Sequence, residues 1–219
     1  MPYADLQDVR CYYQLLGSGD PLLMIPGLGS TCAVWDGVAN ELGESFSLIM
    51  PALRGIGRST PKRQPHDLTY YVADLIELLD HLQIDRCHVL GLSLGGIVAQ
   101  QMAIDHASRV DRLVLMSCAH RFGPYTRQIV QLLGQALRHF PRDKYERMLE
   151  VLGTSPRYLD THPEFIDEKL GRAQCDLTSR KAIARQLRCI GFDDLGGPRY
   201  YIAAPTLIIS GRNDVLIPS

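Results

Sequence analysis

The chain has 219 residues, of which 46% are hydrophobic and 21% charged, with a formal net charge of −1. That length and balance suit one sizeable globular domain with room for an insertion, and the near-neutral charge gives no basis for binding a polyanion such as nucleic acid. No run reaches the roughly 20 apolar residues of a membrane helix, and Asp5, Asp8 and Asp20 punctuate an N-terminus that lacks the apolar core of a secretory signal.

Residues 21–25 form a continuous apolar run ending in Pro26-Gly27, the pattern of a strand buried on both faces. Residues 46–50, 87–90 and 113–116 are three more such runs. Between them, Val72, Leu75, Ile76, Leu79 and Leu82 follow helical spacing, with Asp74, Glu77 and Asp80 assigned to the opposite, polar face. Strand and helix in alternation predict a mostly parallel sheet flanked by helices. From about residue 120 to 197 the pattern becomes helical throughout. Ile129, Val130, Leu133, Ala136, Leu137 and Phe140 form one stripe, Tyr145, Met148, Leu149 and Leu152 a second, and Ile183, Leu187 and Ile190 a third. Thr161, ahead of Pro163 and Glu164, reads as a helix start. Residues 205–210 return to strand. The expected organisation is an α/β core over 1–119 and 200–219, with a helical lid over 120–199 inserted before the last strand. The lid stretch carries a net positive charge and the remainder a net negative one, which reads as solvated helix faces rather than a device for acidic substrates.

The six cysteines, Cys11, Cys32, Cys87, Cys118, Cys175 and Cys189, show no C-x-x-C pair and no metal-ligand spacing. They read as small buried thiols of a reducing, cytoplasmic protein that needs neither metal nor cofactor.

Three short motifs carry chemistry. Gly91-Leu92-Ser93-Leu94-Gly95-Gly96 follows a strand and opens a helix, the context of a G-x-S-x-G nucleophile elbow. A sharp strand-to-helix turn strains the serine, needs small residues two positions to either side, and presents the hydroxyl near a helix N-terminus. Ile25-Pro26-Gly27-Leu28-Gly29-Ser30 also follows a buried strand. Acyl transfer needs two N–H donors converging on the oxyanion, which are assigned to Leu28 and to Leu94, the residue after the nucleophile. Gly211-Arg212-Asn213-Asp214 follows the last strand, and Asp214 stands where a carboxylate orienting a catalytic histidine belongs in this chain order. The plainer readings are a glycine-rich turn for the first two motifs and an Asn-Asp turn for the third.

With these motifs the chain resembles the α/β-hydrolase superfamily over essentially its whole length, in the branch of lid-bearing esterases, enol-lactonases, carbon–carbon bond hydrolases and cofactor-free perhydrolases. Trp35 after the oxyanion loop, the Arg54-Gly55-Ile56-Gly57-Arg58-Ser59 turn and Pro205-Thr206-Leu207 add to the resemblance. It implies a serine hydrolase acting on a small ester, lactone or related carbonyl compound through an acyl-enzyme at Ser93, with Trp35 and Arg54 in structural roles. Three departures are plain. Pro26-Gly27 replaces the family's His-Gly, which leaves the backbone donor in place. Ala52 replaces an Asp two residues before Arg54, which implies a lost local hydrogen bond. The family's histidine lies beyond the acid, after a further helix and strand, so the resemblance implies a sequence that is C-terminally incomplete and a poor catalyst as it stands. His66, His81, His88, His106, His139 and His162 do not match that position; His120, after the strand that follows the elbow, is the one remaining candidate base.

Rival chemistries fit less well. A dinucleotide fingerprint would need a third glycine where Cys32 stands and an acidic residue ending the next strand, where Met50-Pro51-Ala52 stands. A phosphate loop would need Gly-Lys-Ser/Thr, and a dehalogenase or epoxide hydrolase of this fold carries Asp at the elbow by resemblance. A non-catalytic ligand sensor or partner-binding protein on the same fold stays open at this level.

Overall fold

The apolar runs are continuous because their strands are covered on both faces, and alternate side chains divide between two layers. The structure is a computed structural model describing residues 3–64, 67–173, 178–192 and 201–218. Strands β1 (Tyr3–Asp5), β2 (Val9–Leu16), β3 (Asp20–Ile25) and β4 (Phe46–Pro51) precede the short β5 (Thr60–Pro61), followed by β6 (Cys87–Leu92), β7 (Val110–Met116) and β8 (Thr206–Ile209). They form one sheet in the order β1-β2-β4-β3-β6-β7-β8, with β5 beside β2. Pairing is parallel from β4 through β3, β6 and β7 to β8, and antiparallel where β2 meets β1, β4 and β5. The mostly parallel sheet flanked by helices is therefore the fold.

Leu23, Ile25, Ile49 and Val89 face a layer made by helices α2 (Thr69–His81) and α3 (Leu94–Asp105), where Tyr71, Leu75, Leu78, Val98 and Met102 are buried. Their neighbours Leu22, Met24, Leu48, Met50 and Leu90 face the other way, onto Cys32, Trp35 and Ala39, from the 3-10 turn Cys32–Trp35 and helix α1 (Ala39–Gly43). Trp35 is a core side chain of this layer. Between β7 and β8 the structure has helices α4 (Pro124–His139), α5 (Arg142–Leu152), α6 (Pro156–Thr161), α7 (Phe165–Ala173) and α8 (Arg180–Phe192). Leu133, Leu137, Tyr145, Ile183 and Leu187 form a core shared by α4, α5 and α8. Residues 193–200, and with them the expected end of the helical stretch, lie outside the described residues, as do Cys175 and His66. Among the described residues no helix is long and apolar enough to cross a membrane.

Several expectations need correction. β1 and β2 went unread because β2 buries only Val9, Cys11 and Tyr13 on alternate positions, the weak signature of a strand solvated on one face. Thr161 ends α6 rather than starting a helix; the next helix begins at Phe165. Phe140 leaves its stripe as the exposed residue after α4. Asp74 is not on a polar face: it is 5% exposed. Its carboxylate receives Arg54 Nε at 2.6 Å and a second, closer bond from Nη2, while Arg54 Nη1 and Nη2 also reach the carbonyls of Arg63 and Tyr70. Arg54 thus finds its carboxylate across 20 residues on α2, where Ala52 offers none; the Ala52 carbonyl instead accepts from Ser59 Oγ at 2.7 Å. Burial raises Asp74 to about 6, and Arg54 only partly offsets this.

The pair makes a testable demand. Removing one partner of a buried pair typically costs about 3–5 kcal/mol, whereas replacing both by apolar groups costs far less. Arg54→Met is expected to lower unfolding free energy by roughly that amount, and Arg54→Met/Asp74→Leu to recover much of the loss. The Arg54→Met deficit is expected to be smaller at pH 5 than at pH 8. Below its raised pKa Asp74 is neutral in the fold, and above it the carboxylate is left without its counter-ion. Urea titrations at the two pH values check both points.

Candidate active site

Parallel pairing brings the carboxyl ends of β3, β6, β7 and β8 side by side, and in open α/β sheets ligands bind at this edge. The chain turns from β6 into α3 at Ser93, whose φ is 53° and ψ −116°. A residue with a β-carbon pays about 1–3 kcal/mol for such a conformation. Backbone bonds hold it there. Ser93 N donates to Met116 O at 2.8 Å, and Ser93 O accepts from Gly96 N at 2.9 Å and Ile97 N at 3.2 Å. The flanking glycines are a packing necessity: a β-carbon at Gly95 would overlap the Ile25 carbonyl oxygen, and one at Gly91 the backbone of Gly95 and Gly96.

The loop after β3 lies against this turn. A β-carbon built on Gly27 would sit 3.5 Å from Ser93 Cβ, so the two glycine-rich motifs face one another across the serine. Ser30 N closes the loop onto Gly27 O at 3.2 Å, and Gly29 N donates to Gln186 Oε1 on α8 at 2.8 Å. Among the described residues, no protein group accepts from the N–H of Leu28 or of Leu94. Leu94 opens α3, where the unpaired first-turn amides and the helix dipole favour negative charge. After β8, Gly211–Asp214 form a turn closed by Asp214 N onto Gly211 O at 3.1 Å. Asp214 Oδ1 accepts from Leu216 N at 2.9 Å and Ile217 N at 2.8 Å, which leaves Oδ2 for another donor.

Gly27, Leu28, Ser93, Leu94 and Asp214 all line one cavity of about 500 Å³. The core supplies its floor, and α4, α5 and α8 supply apolar wall residues such as Ile129, Leu149, Leu187 and Ile190. Lys169 and Glu150 also line it, paired at 2.5 Å. This pair has no signature in the sequence, because each residue reads as an exposed helix charge. Among the described residues no histidine lines the cavity. His120 is exposed and off its wall. Cys118 packs behind the elbow against Gly96, and burial pushes its thiol up to about 11, so it is a neutral thiol at pH 7. Cys11, Cys32 and Cys87 are buried with thiols pushed up to about 12. Among the described residues no group of His, Cys, Asp and Glu is placed to hold a metal ion.

Comparison with known proteins supports the fold. A sequence model of the alpha/beta hydrolase fold matches residues 20–219. An inferred carbamate hydrolase, RutD, of Azorhizobium caulinodans is 25% identical over 221 residues, covering 100% of this chain and 83% of that protein. The 3-oxoadipate enol-lactonase 2 of Acinetobacter baylyi is 26% identical over 212 residues, 95% of this chain and 77% of its own. Among solved structures, a hydrolase from Pseudomonas aeruginosa superposes with a TM-score of 0.80 at 27% identity, over 98% of this chain and 84% of that one.

The elbow's packing predicts a sharp contrast between two glycines. Gly95→Ala forces a β-carbon into the Ile25 carbonyl and is expected to cost on the order of 3 kcal/mol. Gly37→Ala meets nothing within 4 Å and is expected to stay within about 0.5 kcal/mol of the parent. Thermal unfolding of the two variants beside the parent checks this.

Proposed function

This chain belongs to the α/β-hydrolase fold family, and on that premise we propose that it is a serine hydrolase acting on a small ester, lactone or related carbonyl substrate through an acyl-enzyme at Ser93. The observation that carries the reading is Ser93 held at φ 53° where the Leu28 and Leu94 amides line the same cavity. A cavity of about 500 Å³ suits a small molecule. Its mostly apolar walls favour the carbon skeleton of such a substrate over a highly charged one.

In the proposed reaction Ser93 Oγ attacks the substrate carbonyl carbon as a general base takes its proton. The carbonyl π electrons move onto oxygen, and the Leu28 and Leu94 N–H groups receive the resulting oxyanion. Collapse expels the leaving group, which takes the proton back from the base and leaves an acyl ester on Ser93. Water, deprotonated by the same base, then attacks that ester and frees the acid and the serine. Asp214 Oδ2 is the group assigned to orient the base and stabilise its charged form. No described histidine lines the cavity, so the base is not assigned to a named residue. The α4–α8 block acts as a lid whose inner surface sets substrate shape.

A second reading, a ligand sensor without turnover, is favoured by one observation: no described histidine lines the cavity. Turnover separates the two. In the full-length protein, Ser93→Ala is expected to reduce kcat on a short acyl ester by as much as about 10⁶-fold, as loss of a triad member does elsewhere. Ester hydrolysis by the alanine variant within tenfold of the parent overturns the proposal. A parent that binds the ester but does not turn it over establishes the sensor.

A further inference from the structure

Helix α8 does more than wall the cavity: with the residues just ahead of it, it touches two core loops, the one after β3 that borders the site and the one after β4 that does not. Thr178, just ahead of it, accepts at Oγ1 from Gly57 N at 2.8 Å. Ala182 lies where a β-carbon on Gly55 would approach it to 3.2 Å, and Ile183 where one on Gly29 would approach to 3.3 Å. Gln186 Oε1 takes the Gly29 N–H at 2.8 Å. Gln186 is four residues on from Ala182 and three on from Ile183, the spacing of one helix face. Gly29 is at φ +68°, so a side chain there would be strained as well as crowded.

Gln186 stands out on this face. It is 0% exposed, and its Nε2 has no partner among the described residues. Methionine would fill nearly the same volume without burying an unpaired donor. What the amide provides that methionine lacks is the acceptor for Gly29. That bond fixes the peptide plane following Leu28, while the Ser30 N to Gly27 O turn closes the loop from the other side. Between them the direction of the Leu28 N–H is set. Leu187 and Ile190, on the same helix, line the cavity, so whatever fills the cavity bears on the element that holds the loop.

We propose that Gln186 is a positioning residue that aligns the Leu28 oxyanion donor, coupling the seating of the α4–α8 block to the chemistry at Ser93. This rests on the serine-hydrolase reading. The test uses the full-length protein with three variants. Gln186→Met removes the acceptor, Gln186→Glu retains one, and Thr178→Val breaks the neighbouring contact, which does not touch the oxyanion loop. Amide hydrogen exchange at Gly29 and Gly57 is read alongside kcat and KM on a short acyl ester.

In Gln186→Met, Gly29 exchange is expected to quicken about tenfold or more. Its kcat is expected to fall about 10–100-fold, short of complete loss of an oxyanion donor, with KM within about twofold. Gln186→Glu is expected to restore both substantially. Thr178→Val is expected to quicken exchange at Gly57 alone and leave kcat unchanged. The proposal is overturned if Gln186→Met keeps parental kcat in a protein whose Ser93→Ala variant is dead, or if Gln186→Met and Thr178→Val lower kcat and melting temperature equally. Turnover that survives Ser93→Ala removes the underlying reading, and this inference with it.

Discussion

Ser93 occupies a backbone conformation that a residue with a side chain avoids, and the structure around it is arranged to hold it there. Its N–H is tied to the end of β7, its carbonyl accepts from the first turn of α3, and glycines stand wherever a side chain would collide. The strain is affordable because the segments on either side are among the most buried in the molecule: Val89 in β6 and Val98, Ala99 and Met102 in α3 are all fully covered. A residue forced into this geometry on a loosely packed surface would relax. Here the turn is over-determined, and relaxing it would break strand and helix packing together.

From that turn the remaining geometry follows. Parallel pairing of β3 with β6 lays the loop after β3 against the serine, and pairing of β7 with β8 sets the Asp214 turn on the same edge. Leu28 and Leu94 are thereby brought to one cavity, and the oxyanion role proposed for them needs only their backbone amides, so it does not depend on which side chain stands at Pro26. The helical segment between β7 and β8 roofs the edge, and the cavity is what lies between. The Arg54–Asp74 pair works at a distance from the serine, fixing the loop after β4, on which Gly55 and Gly57 receive α8.

What was legible in the sequence divides along physical lines. Buried parallel strands announce themselves as unbroken apolar runs, so β3, β4, β6 and β7 were readable, as were α2 and the stripes of α4, α5 and α8; β8 was readable from its apolar run as well, although its Leu207, Ile208 and Ile209 are exposed. The three motif turns were readable because their backbone geometry restricts which residues fit. β1 and β2 were not, since a strand solvated on one face buries only every second residue. Asp74 was misread because helical periodicity sorts residues by polarity and cannot see a buried arginine 20 residues upstream. Gln186 and the Glu150–Lys169 pair were invisible for the same reason: their roles depend on contacts between elements far apart in sequence.

The central claim is that the Leu28 and Leu94 amides and the Ser93 hydroxyl converge on one point. A crystal structure of the full-length protein after reaction with a serine-directed phosphonate tests it most directly. The account predicts phosphorus bonded to Ser93 Oγ, with one phosphonyl oxygen about 2.7–3.1 Å from both the Leu28 and the Leu94 nitrogens. An adduct on another residue, or on Ser93 with its oxygens turned away from both amides, would contradict it.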